Sequence, residues 1–369
     1  MTSRVAPNEV SVQGNNEKPS LILVQPTKND EIVGDLTLDR GNITEQLLKT
    51  IDEIYSPVLK LMALFGTYFG DTSFKHLPDV SGRKQKKSYL YQIYCVVVAS
   101  GLWLNFIMSL TDVFLGENIY LYTLFSLWSL LIALSATICL IVLCVPLGDS
   151  KKTPFQNFLR NLLAINSSVD LEKVKSKAKK GVIIFFFLFI LGATGVIITY
   201  EVMDITITGV KPWKEWFGLR ILSLIFFTYG MGEWFLPILF FYITCLILEV
   251  LFDDLHKRMS SFHTLLVDIG TFKNEHCRLC EVVEFADKMF APLLFVLVSL
   301  YIPFICFEFY KAVNPPKDHE FVYLIGNIFW LASAAGILTV IMAFGTKVSE
   351  KVYSMETILF WTMKFSVAF

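Results

Sequence analysis

Six long apolar runs, separated by connections whose basic charge alternates, constrain this chain more than any other feature. A bilayer core is about 30 Å thick and takes about 20 apolar residues of helix to cross. Each run reaches that length, with boundaries at about 88–114, 119–145, 181–203, 218–250, 287–312 and 321–347. The backbone inside a bilayer must satisfy its own hydrogen bonds, so such runs are helical. The predicted fold is all-α, a polytopic helical membrane protein with six transmembrane helices present.

Composition agrees. The chain is 54% hydrophobic and 18% charged, more apolar surface than a soluble fold buries. A net charge of -1 supplies no field for nucleic acid, so no nucleic-acid partner is expected. Residues 1–45 are polar and aperiodic, without the apolar core of a signal peptide, and are predicted to form a disordered cytoplasmic tail. The first span must then act as its own insertion signal. From Gln46 a helical stripe begins with Leu47, Leu48, Ile51, Ile54, Tyr55, Val58, Leu59, Leu61 and Met62. It is too polar to span, and predicts an amphipathic segment that lies at the inner interface or dips into the bundle. Residues 46–87 thus hold this segment and a basic linker, and Gly66 and Gly70 loosen the helix end.

Basic residues resist translocation, so Lys-rich and Arg-rich connections stay cytoplasmic. Arg83, Lys84, Lys86 and Lys87 precede span one, whereas Gly116-Glu117-Asn118 after it carries no positive charge. Lys151, Lys152, Arg160 and the Lys173–Lys180 run follow span two, and only Lys211 and Lys214 separate spans three and four. Lys257, Arg258, Lys273 and Arg278 follow span four. The amino terminus is predicted inside, and six spans return the carboxyl end to the same side. Spans one to four, residues 88–250, form a bundle, followed by a cytoplasmic helical linker at 251–286 and spans five and six within 287–369. Phe155 to Leu163 and Val250 to Val267 keep helical periodicity, so spans two and four are expected to run on into the cytoplasm.

No catalytic constellation is legible, and neither enzyme activity nor a cofactor is predicted. His276-Cys277-x-x-Cys280 resembles a metal or redox pair. It lacks the four ligands of a structural zinc site, with His263 the only other candidate nearby, so packing is the favoured reading. Intramembrane acids are unfavourable, face a bundle interior and mark pathways or sites by default. Glu233 near the middle of span four and Glu308 in the outer part of span five qualify. Aromatic residues crowd the outer halves of the spans, among them Tyr122, Phe125, Trp128, Tyr200, Phe227, Trp234 and Phe304, with Ser223 and Thr228 able to add hydroxyls. An apolar concavity with a few polar groups is the usual small-molecule site. The candidate ligand-binding residues are therefore Phe125, Trp128, Tyr200, Phe227, Glu233, Trp234, Phe304 and Glu308. Bundle packing is the alternative reading for each.

Several stretches resemble the insect gustatory and odorant receptor superfamily, including its gustatory-receptor-like members. They are Ile54-Tyr55-Ser56-Pro57-Val58-Leu59-Lys60-Leu61 through Phe65-Gly66, and Glu275-His276-Cys277-Arg278-Leu279-Cys280-Glu281-Val282-Val283 followed by Phe290-Ala291-Pro292-Leu293-Leu294. Phe307-Glu308-Phe309-Tyr310 and Phe344-Gly345-Thr346-Lys347-Val348-Ser349-Glu350-Lys351 continue the order, and the likeness covers roughly 46–369. The resemblance implies a seven-helix, ligand-gated, non-selective cation channel of the plasma membrane, a homo- or hetero-tetramer of like subunits. It implies a small-molecule tastant or metabolite held in an outward-facing pocket of spans one to four. It also implies an anchor of cytoplasmic extensions where subunits meet, and a pore lined by span seven. The sequence departs from that pattern at Met363-Lys364-Phe365-Ser366-Val367-Ala368-Phe369, which resembles the lead-in to span seven and is where the chain stops, so no pore residue is nominated. The competing classes are a G-protein-coupled-receptor-like protein, which would place the amino terminus outside, and a transporter or membrane scaffold.

Overall fold

The structure, a computed structural model, describes residues 30–70, 89–115, 119–146, 152–165, 169, 171–202, 217–261, 269–313 and 320–366. The described elements are helical: α1 (Asp30–Leu64), α2 (Tyr89–Leu115), α3 (Ile119–Cys144), α4 (Pro154–Leu163), α5 (Glu172–Val202), α6 (Phe217–Ser261), α7 (Ile269–Val313) and α8 (Glu320–Ser366). Six of them, α2, α3 and α5 to α8, are long and apolar enough to cross a membrane, and they overlie the six predicted spans. The Gly116-Glu117-Asn118 connection, the Arg83–Lys87 cluster, Lys151, and the Lys211 and Lys214 connection lie outside the described residues.

The chain divides into residues 1–41 and 42–369. In the first unit, helix is present from Asp30, where the sequence predicts an irregular tail to residue 45. Residues 30–41 carry two glycines and no apolar stripe, so local propensity announces no helix there.

In the second unit, α1 inserts its apolar stripe into the bundle. Leu47, Ile51, Ile54, Tyr55, Val58, Leu59 and Met62 are all buried. Tyr55 sets its ring edge-on to Phe155 at 5.7 Å, and its hydroxyl meets Thr244 Oγ1 at 2.9 Å. Lys175 of α5 pairs with Glu53 and holds that carboxyl below the usual carboxylate range. The helix then ends in a Schellman turn. Thr67 N–H donates to Met62 O at 2.8 Å and Gly66 N–H to Ala63 O at 3.3 Å. Gly66 takes φ 85°, and a Cβ there would lie 2.7 Å from Val98 Cβ, so only glycine fits both backbone and space.

The α6 helix is the hub, packed against α2, α3, α5, α7 and α8. In its most apolar stretch 83% is buried, against 17% in α8, which leaves the outer helices' apolar faces for lipid. Three helices continue past the length a bilayer needs. The α6 extension reaches Ser261, α7 already begins at Ile269, and α8 runs on to Ser366. Arg258 ties the first two together, bonding Asp254 at 2.8 Å and Glu275 at 3.0 Å, and Lys351 of α8 reaches Asp253 at 2.6 Å. Residues 251–261 continue α6, and residues 269–286 are the first part of α7.

The expected extension of span two does not occur. Its helix stops at Cys144, Pro146 follows, and Phe155 to Leu163 form their own helix, α4. A capping box starts it: Gln156 N–H donates to Thr153 Oγ1 at 3.2 Å and Thr153 N–H to Gln156 Oε1 at 3.1 Å, with Pro154 at the first position. Phe155, Phe158, Leu159 and Leu162 then face the core. Thr153→Ala is expected to remove about 1 kcal/mol from this helix. Hydrogen exchange should show it as faster exchange confined to residues 154–163.

Candidate functional site

The residues predicted from sequence divide into an aromatic box and two separate acids. In α3, Trp128 stacks on Phe227 of α6 at 4.9 Å, and Phe125, one turn away, meets the same ring edge-on at 6.1 Å. Trp234 of α6 meets Trp128 edge-on at 6.0 Å and Phe304 of α7 at 6.2 Å. Trp128, Phe227, Trp234 and Phe304 are buried and Phe125 is half-buried. Three helices thus bring five of the predicted aromatics to one place. Tyr200 belongs to α5, but its side chain, like that of Tyr122, lies outside the described residues.

Two members of the box were not singled out from sequence. Trp330 of α8 stacks on Trp234 at 5.0 Å and meets Trp128 at 5.9 Å. Tyr301 of α7 stacks on Trp234 at 6.3 Å and accepts the hydrogen bond from its indole N–H. No local pattern marks either residue, because a box contact joins positions far apart in the chain. The indole N–H of Trp128 is buried and has no partner. A buried donor without an acceptor is costly, and such a group is free to meet an acceptor on a ligand.

Glu233 does not join the box. Successive helix residues point about 100° apart, so its neighbour Trp234 faces the aromatics while Glu233 faces the end of α1. Thr67 borders its carboxyl, and Gly232 lies so close to Phe65 that a Cβ would sit 2.3 Å from the ring. Glu233 is fully buried and neither carboxyl oxygen has a hydrogen-bond partner. Thr67 gives its hydroxyl proton to Met62 O at 3.1 Å. Glu308 lies one turn beyond Phe304 on the same buried face of α7. Its Oε1 receives Lys311 Nζ at 3.4 Å, and its Oε2 is buried without a partner. Asn327, one turn from Trp330 on α8, likewise keeps a buried, unpartnered amide nitrogen.

A third polar group joins α2, α3 and α6 through Asn105, Ser109, Ser129 and Ser223. Of these only Ser223 was singled out from sequence. Thr228, the other predicted hydroxyl, bonds Leu224 O of its own helix at 2.9 Å. The signal for Asn105, and for Asp112 and Asn327, was the one used for Glu233: a strongly polar residue inside an apolar run.

The His276-Cys280 motif is helical. His276 is buried with its ring 6.1 Å from Phe252, and Cys280 Sγ lies 3.6 Å from the ring nitrogen Nε2. His263 lies outside the described residues, and no group of three His, Cys, Asp or Glu able to hold a metal occurs among the described residues. No disulfide occurs among the described residues; Cys95, Cys139, Cys144 and Cys245 are buried, while Cys306 is exposed on α7.

The family model for the 7tm chemosensory receptors matches residues 55–365. This chain belongs to the 7tm chemosensory receptor family. The fold of the chemoreceptor is shared with solved insect olfactory receptors. It superposes on the receptor OR5 from Machilis hrabei in complex with eugenol with a TM-score of 0.64, at 12% identity, over 86% of this chain and 83% of that one. For a second structure of the same Machilis receptor the values are 0.63, 12%, 85% and 82%. No curated protein sequence matches the chemoreceptor significantly.

Proposed function

We propose that this chemoreceptor is a gustatory-type subunit of a ligand-gated, non-selective cation channel that detects a small tastant or metabolite and signals it as a cation current. It acts in the plasma membrane as a homo- or hetero-tetramer with both ends of this chain cytoplasmic. Family membership supports the receptor role. The order of the gustatory-like stretches supports the type, and the alternation of basic connections supports the orientation.

The aromatic box carries the reading. It draws rings from α3, α6, α7 and α8, so a ligand there touches four spans at once. The rings lie against one another, so a ligand enters by parting them. Binding then favours whichever bundle arrangement holds them apart, and that differential affinity is what gating requires. Phe125, Trp128, Phe227, Trp234 and Phe304 supply the walls, joined by Tyr301 and Trp330. Glu308 lies at the rim, and Tyr200 stays a candidate. Glu233 acts at a distance, through the end of α1.

The unpartnered indole N–H of Trp128 makes the reading testable. Eugenol, bound by the Machilis receptor, is the first probe. Titrated into the full chain in nanodiscs, it should quench tryptophan fluorescence saturably. Trp128→Phe keeps a ring and loses the donor, and should weaken binding roughly three- to tenfold, the worth of one hydrogen bond. A panel of small aromatic alcohols and esters extends the test. Affinities unchanged in both Trp128→Phe and Phe227→Ala would remove the box from the binding site.

A further inference from the structure

We propose that the lysine-rich end of α5 binds the headgroup of a polyphosphoinositide lipid through Lys173, Lys177 and Lys180. These lysines occupy positions i, i+4 and i+7 of α5, and Ile184, Phe187 and Leu191 continue the same face at i+11, i+14 and i+18. All six side chains are exposed, Ile184 by 57% and Phe187 by 66%. Val174, Ala178 and Phe185, on another face of the helix, are buried. One exposed face of α5 thus passes directly from ammonium groups to apolar side chains. A phospholipid laid along it meets the same order, anionic headgroup first and acyl chain after.

The other lysines of the run face elsewhere. Lys175 turns to α1, where it pairs with Glu53, and it also pairs with Glu172 of its own helix. Lys179 acts on the Glu53 carboxyl as well. Lys173, Lys177 and Lys180 form no ion pair among the described residues. Like charges three and four residues apart on a helix repel one another, and a shared anion relieves that repulsion.

The direction of the stripe selects the lipid. In a helix crossing near the bilayer normal, Lys177 and Lys173 stand about 4.5 and 10.5 Å farther from the apolar stretch than Lys180. The single phosphates of phosphatidylserine and its neighbours lie at one depth, level with Lys180. An inositol ring carries further phosphates outward from the glycerol phosphate, towards Lys177 and Lys173. Anionic inositol lipids belong to the cytoplasmic leaflet, so in the cell the inference rests on the orientation proposed above. Val174 and Lys175 lie between the outward lysines and hold the core and α1, so a bound headgroup braces the junction of α1 with α5.

The full chain is placed in nanodiscs of phosphatidylcholine alone, with phosphatidylinositol bisphosphate, or with phosphatidylserine at matched charge. Both faces of a nanodisc carry the lipid, so the result is independent of orientation. The bisphosphate should raise Tm by about 2–4 °C over phosphatidylcholine, saturably, the shift of a site filled about tenfold above its Kd. Phosphatidylserine should give a clearly smaller rise. Lys173→Gln, Lys177→Gln and Lys180→Gln combined should abolish the bisphosphate rise. If that variant does not fold, Lys177→Gln alone should need about fivefold more bisphosphate for the same rise, the worth of one lysine at a charged surface. Lys175→Gln breaks the Glu53 pair, and should lower Tm in every lipid while the rise persists. Equal Tm in the bisphosphate and phosphatidylcholine, an equal rise in phosphatidylserine, or a rise that survives the combined variant each overturns the assignment.

Discussion

Trp234→Ala is expected to destabilise the chain by about 3–5 kcal/mol, the range for emptying a large buried aromatic site. The argument rests on how many partners the ring loses. Trp234 is 2% exposed and lies against Trp128, Phe235, Tyr301, Phe304 and Trp330, rings from four helices. In a bilayer no solvent-driven force holds helices together, so such packing contacts carry much of the association. Alanine also strands the Tyr301 hydroxyl that accepts the indole N–H. Trp234→Phe separates the two effects. It keeps an aromatic ring and loses the donor, and should cost about 0.5–1.5 kcal/mol for the bond plus a smaller packing term. Thermal unfolding in nanodiscs, with tryptophan fluorescence of the remaining box, gives both values. Equal losses for the two variants would mean that the hydrogen bond, and not the stacking, joins α6 to α7. A loss below about 1 kcal/mol for alanine would mean that neighbouring rings collapse into the space.

The spans were legible because a bilayer leaves the backbone one solution over long apolar stretches. The predicted 119–145 and the observed Ile119–Cys144 differ by a single residue at one end. The lengths of α7 and α8 were less legible, because beyond the bilayer their helices are held by Arg258, Glu275, Lys351 and Asp253, pairs that form only once the helices stand together. The break before α4 was written in Pro146 and in Thr153-Pro154-x-Gln156, a start signal that periodicity alone overrides when read as one continuous helix. For the site, residue type singled out aromatics of α3, α6 and α7 that the fold brings into contact. It did not reveal Trp330, whose importance comes from a stack across 96 positions between 234 and 330. Nor did it separate Glu233 from Trp234. Adjacent in sequence, they face different partners, and only the course of the chain after Leu64 says that one of these is the Schellman turn of α1.

That turn makes Glu233→Leu the most informative acid replacement, and its expected effect on stability is a gain. The carboxyl is 0% exposed, both oxygens lack partners, and the neighbouring Thr67 hydroxyl is committed to Met62. Insertion scales put an acidic residue at a helix centre about 2.5–3.5 kcal/mol above an apolar one, so leucine, of similar volume, should stabilise the fold by about 2–3 kcal/mol. Glu233→Gln should fall between, because it removes the charge and keeps a polar group in a fully buried position. A group kept at such a disadvantage in the wall between α1 and α6 is expected to serve signalling. Ligand-evoked calcium entry, in cells supplying whatever partner subunits the channel requires, should therefore fall in the same variant whose Tm rises. A higher Tm with an unchanged response would deny Glu233 a part in gating. A lower Tm would show that the acid holds the Phe65–Gly70 turn in place, and its role would then be one of structure.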